Sequence, residues 1–126
     1  MAKIPVSTIF DYIEMMQRDQ WGYIYGTSGK YWTQEDQDKT KNDMAQKYGS
    51  RWIGHMVTDC SGVMVYIWRK CGLEIPHGSN SMVKKGYITG LTNRPFPGAA
   101  ALAYKPANDD YSHIGIVGRD GRTVYE

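Results

Sequence analysis

Asp59-Cys60-Ser61-Gly62 runs directly into Val63-Met64-Val65-Tyr66-Ile67-Trp68, and this stretch decides how the chain is read. The run is apolar on nearly every side, which is the pattern of a helix buried in a core. Its first turn carries a thiol. Aligned peptide dipoles place about half a positive charge at a helix N-terminus, and that field favours thiolate, the nucleophilic form. Arg69 and Lys70 stand where the negative end of the helix attracts cations, and Gly72 suits the left-handed position beyond it. Cys60 is therefore read as reactive. Cys71, at the opposite end, is read as structural. On one helix the two would lie ~16 Å apart, whereas a disulfide needs Cα atoms within ~7 Å, so both thiols are expected to be free.

The 126 residues suit one domain with a single core. With 15 basic and 13 acidic residues, a net charge of +2 and no block of like charge, the chain lacks the basic footprint of a nucleic-acid binder. The pair Lys84-Lys85 reads as a solvated loop. No apolar run approaches the ~20 residues of a membrane span, and Met1-Ala2-Lys3-Ile4-Pro5 does not resemble the start of a secretory signal. Synthesis and retention in the cytoplasm are expected unless something releases the protein. Cysteines and histidines show neither CxxC nor HExxH spacing, so no metal site is expected, and no cofactor.

Outward from the central helix, Ser7 is the expected N-cap of a helix over residues 7–17, with Ile9, Ile13 and Met16 at helical spacing. Residues 21–26 are aromatic and β-inclined, and Thr27-Ser28-Gly29 reads as a turn. Residues 33–47 are strongly polar. Thr33 followed by Asp36 suggests a capped, exposed helix, a surface excursion rather than core. Residues 76–81 read as loop. Pro95-Phe96-Pro97-Gly98 is a turn leading to a strand over 99–104, and Asp109-Asp110 punctuates. His113-Ile114-Gly115-Ile116-Val117 is a strand, Asp120-Gly121 a hairpin turn, and Thr123-Val124-Tyr125-Glu126 the start of a return strand. Helices followed by an antiparallel meander make an α+β protein.

A thiol hydrolase needs a base, and three histidines are available. His113 opens a strand, a rigid support, and is preferred. His55 and His77 are read as satisfied surface or loop residues. Trp21, Tyr23 and Tyr25 could be core or the wall of a substrate groove, and composition favours core.

These segments together resemble the NlpC/P60 family of papain-like cysteine peptidases, which hydrolyse bacterial cell-wall peptides. Trp21-Gly22-Tyr23-Ile24-Tyr25-Gly26 is similar to the family's aromatic-glycine segment, and Asp59-Cys60-Ser61-Gly62 to its nucleophile motif. Ile75-Pro76-His77-Gly78-Ser79 is similar to a loop that usually reads Leu-Pro-Arg-x-Ser, and His113-Ile114-Gly115-Ile116 to the strand bearing the general base. Pro97-Gly98-Ala99 stands where the family usually has Pro-Gly-Asp.

The resemblance implies a papain-like α+β fold, with the nucleophile helix packed on an antiparallel sheet. It implies one domain over 1–126 that lacks its last strands and carries a helical insertion over 30–56, expected to rim the groove. Cys60 would be the nucleophile, His113 the base and Tyr23 a polarising hydroxyl. Glu126 would orient the base, with Tyr125 as the fallback. Asp59, Ser61, Trp21, Tyr25 and Ser79 are read as substrate-binding positions. The implied activity is cleavage of the γ-D-glutamyl–diamino acid bond of peptidoglycan stem peptides, after delivery to the wall as by a phage or prophage lysin. An N-acetylmuramoyl–L-alanine amidase of the same fold, or an inert wall-binding remnant, is the alternative.

Overall fold

The computed structural model describes residues 4–88 and 96–125. Its helices are α1 (Val6–Arg18), α2 (Gln34–Lys39), α3 (Asp43–Tyr48), α4 (Cys60–Lys70) and α5 (Ser79–Lys84). Its strands are β1 (Gly22–Tyr23), β2 (Ser28–Tyr31), β3 (Met56–Thr58), β4 (Ala100–Lys105), β5 (Asp110–Val117) and β6 (Val124–Tyr125). The fold is mixed α+β, with two three-stranded sheets ordered β1-β3-β2 and β4-β5-β6.

The expected meander forms. β4, β5 and β6 pair antiparallel, with Leu102 opposite Ile114 and Ile116 opposite Tyr125. The hairpin between β5 and β6 turns at Asp120-Gly121, where Gly121 takes φ +71° and the Gly118 N–H donates to the Thr123 carbonyl. Ile114 and Ile116 meet Met64 and Ile67 of α4, Met82 of α5 and the stripe Ile9, Ile13 and Met16 of α1. Ile67, Met82 and Ile114 are closed to solvent, each contributing about 1.5–3 kcal/mol of apolar burial. α4 ends where its charge pattern places it, with Cys71 as C-cap and Gly72 at φ +83°.

Several local expectations give way. α1 begins at Val6, with Pro5 rather than Ser7 at its N-cap, because the Pro5 carbonyl already accepts from Thr8 and Ile9. The first turn of that region falls at residues 25–26, so Ser28 and Gly29 belong to β2 instead of a turn. Residues 79–81 open α5 rather than continuing a loop, and Lys84 closes that helix and pairs with Asp109. Asp110 already belongs to β5. Pro95 and Glu126 lie outside the described residues.

The polar stretch after Thr33 forms two helices rather than one. Thr33 and Asp36 make the reciprocal capping box at the start of α2, and Asn42 restarts the chain as N-cap of α3. This segment is more than an excursion over the surface. Trp32 and Ala45 are buried with Ile24 and Val57 in a second small core, because the helices fold back over the β1-β3-β2 sheet.

Candidate active site

Three residues of β3 aim the chain into α4. Val57 is fully buried, and β3 pairs parallel with β1, setting Tyr23 opposite Thr58. On the other side β2 pairs antiparallel, with Ser28 opposite Thr58. The turn between β1 and β2 wraps the start of α4. The Asp59 N–H donates to the Thr27 carbonyl at 2.9 Å, and the Ile24 N–H to the Thr58 carbonyl at 3.3 Å.

Asp59 is only 4% exposed and organises this corner. Its extended backbone and Oδ1, which accepts from the Gly62 N–H at 2.7 Å, make it the N-cap of α4. Oδ2 accepts from the Gly26 N–H at 2.8 Å. His77 Nε2 lies 2.9 Å from Oδ1, and a carboxylate accepts only, so the imidazole donates there. Ser61 Oγ donates to Oδ1 at 3.4 Å and accepts from the Gly78 N–H at 3.2 Å. Asp59 and Ser61 thus spend their bonding capacity within the protein. An Asp59→Ala protein is expected to lose about 2–4 kcal/mol, the sum of a lost cap and stranded donors, measured by denaturant unfolding. A loss under about 0.5 kcal/mol, the ordinary surface range, contradicts that role.

Cys60 is half-buried at the first position of α4, and its thiol is free, as is that of Cys71. Cys71 is exposed, which corrects the reading of it as a structural residue. The Tyr23 hydroxyl lies beside Cys60 and Asp59, and its pKa is raised, first by partial desolvation and then by the charges of Cys60 and Asp59. Tyr23 therefore remains a protonated donor across neutral pH.

Of the other expected site residues, Ser79 is buried and donates to the Tyr111 carbonyl at 2.6 Å. Trp21 packs edge-on against Tyr66 at 4.9 Å, and with Tyr23, Asp59 and Tyr125 it lines a cavity of about 400 Å³. Tyr25 is exposed. Tyr125 packs against the main core.

His113 sits half-buried on β5, the strand packed against both α4 and α5. A bulge directly precedes it: Ala103 pairs with His113 but Tyr104 pairs with Tyr111. Such a bulge re-aims the side chains that follow. His55 is a satisfied residue as expected, with Nδ1 3.0 Å from the Gln20 carbonyl and its ring edge-on to Trp52. His77 departs from its expected role as a bystander, because it clamps the carboxylate next to Cys60. The sequence signal for this is indirect. His77 and Asp59 lie eighteen residues apart, too far for a local pattern to announce the contact.

Among the described residues no cluster of three or more His, Cys, Asp or Glu side chains could hold a metal ion. No helix among them is long and apolar enough to cross a membrane. No protein-family model matches the chain, and neither the curated proteins nor the solved structures contain a match.

Proposed function

We propose that this protein is a papain-like cysteine peptidase of the NlpC/P60 kind that hydrolyses peptidoglycan stem peptides. The observation that carries the reading is Cys60 at the head of a capped, core-packed helix with the Tyr23 hydroxyl beside it. A half-buried histidine on the strand packed against that helix adds support.

In this mechanism His113 takes the proton of Cys60 and the sulfur attacks the peptide carbonyl carbon. The carbonyl π electrons move to oxygen. First-turn N–H groups of a helix have no intrahelical acceptor; that of Gly62 serves Asp59, and that of Cys60 serves the oxyanion together with the Tyr23 hydroxyl. Collapse of the intermediate breaks the C–N bond, and His113 hands its proton to the departing amine. Water, deprotonated by His113, then hydrolyses the thioester and restores the thiol. The bond cleaved is the γ-D-glutamyl–diamino acid bond, and the enzyme reaches it after delivery to the wall.

Digestion of purified peptidoglycan followed by product mass analysis tests this. Glycan strands retaining L-alanyl-D-glutamate, with free peptides that begin at the diamino acid, are expected. Strands stripped of peptide would assign an amidase instead. No product from a folded protein would favour the inert, wall-binding alternative.

A further inference from the structure

A second cavity, of about 350 Å³, opens beside Tyr23 and is lined by Tyr25, Met44, Tyr48 and Asn42 among others. We propose that it binds an N-acetylhexosamine ring of the glycan strand, an inference that rests on the wall-hydrolase reading above.

Three observations carry it. The first is continuity, because Tyr23 lines both this cavity and the one beside Asp59, at the start of the helix that carries Cys60. A ligand seated here would lie on the far side of the Tyr23 ring from Asp59 and the start of α4. In the proposed substrate two residues separate the sugar's lactyl arm from the scissile bond. Because the second is linked through its γ-carboxyl, the reach exceeds the ~7 Å of two extended α-linked residues.

The second is the character of the walls. Tyr25 is 71% exposed, Tyr48 54%, Tyr23 50% and Met44 61%. Rings held open to water beside a cavity offer flat apolar faces edged by hydroxyl groups. A pyranose has the same pattern, with C–H groups on its faces and hydroxyls around its rim, and its acetamido methyl suits the Met44 side.

The third is charge. No ionisable acid or base lines the cavity besides the tyrosine phenols. Asn42 is already engaged, donating to the Tyr25 carbonyl and capping α3 through Oδ1. A stem peptide brings carboxylates and an ammonium group that would go unpaired here, whereas an acetamido sugar is neutral. The walls come from α3 and the β1–β2 turn, so residues 30–56 complete the subsite.

The test is titration of the unaltered protein with the β-1,4-linked tetramer of N-acetylglucosamine, followed by calorimetry. Saturable binding is expected. Tyr48→Ala should weaken it about tenfold, the scale of one lost aromatic face, while Tyr48→Phe should bind like the parent. Met44→Ala provides a second exposed variant, expected to weaken binding in the same direction. Absence of saturable binding, or equal affinity for Tyr48→Ala and parent, overturns the proposal. So does a stem peptide lacking sugar whose affinity depends on Tyr48 when that of the tetramer does not. Because the titration involves no bond cleavage, its failure leaves the peptidase reading standing, and failure of the digestion leaves the titration result intact.

Discussion

Cys60→Ala protein is expected to release no peptide from purified peptidoglycan, with turnover at least about 10³-fold below the parent. Alanine leaves the apolar helix and its Asp59 cap in place, so the fold should survive and, on the proposed mechanism, only the nucleophile is removed. Residues that act as one unit fail together, so His113→Ala should lose about as much alone, and the double variant little more. His77→Ala should behave differently. Its imidazole donates to Asp59, so the loss there should fall on stability and on positioning of the turn, with substantial turnover remaining. A Cys60→Ala protein that still cleaves ends the thiol mechanism. Abolished turnover in a folded His77→Ala protein, with His113→Ala active, moves the base to the loop after α4.

Gly62→Ala should be the most damaging small substitution for stability. A methyl at that position would stand 2.1 Å from the Thr27 carbonyl oxygen, 2.6 Å from Thr58 Oγ1 and 2.9 Å from Asp59 Oδ1. None of these can yield cheaply. The Thr27 carbonyl accepts the Asp59 N–H, and Asp59 Oδ1 caps the same helix. Overpacking costs about 1–3 kcal/mol, and each hydrogen bond displaced adds about 1 kcal/mol. The gain of about 1 kcal/mol from replacing glycine in a helix is too small to offset this. A net loss of about 3 kcal/mol lowers the melting temperature by roughly 10 °C in a domain of this size, read by thermal unfolding. An unchanged melting temperature would mean that α4 does not approach the β1–β2 turn so closely. Gly62 is thus required by contact with a distant segment, since its helix would locally prefer alanine.

What could be read in the residues follows the range of the forces involved. The run from Cys60 to Trp68 signals a core helix because apolar side chains surround it, and its ends are marked by Asp59, Arg69-Lys70 and Gly72. Thr33 and Asp36 announce a capping box because both partners lie within one turn. Asp120-Gly121 between two β-prone runs announces a hairpin for the same reason. By contrast, β1 and β3 are two and three residues long, too short for any periodicity to appear. The parallel pairing of Tyr23 with Thr58 has no trace in either segment alone. α5 was hidden as well, since Gly78-Ser79-Asn80-Ser81 carries turn-forming residues that Met82 overrides by filling the main core.

The local chemistry of the chain therefore set the thiol at a helix start, the cap beneath it and the α+β order of elements, because these depend on neighbours within a turn or a hairpin. Tertiary structure alone decided that Tyr23 meets the thiol, that His77 clamps Asp59, and that residues 30–56 enclose a second core with a cavity at its edge. Those contacts join segments tens of residues apart. They exist only once buried surfaces such as Val57 and Ile67 compensate for the entropy of closing the intervening loops.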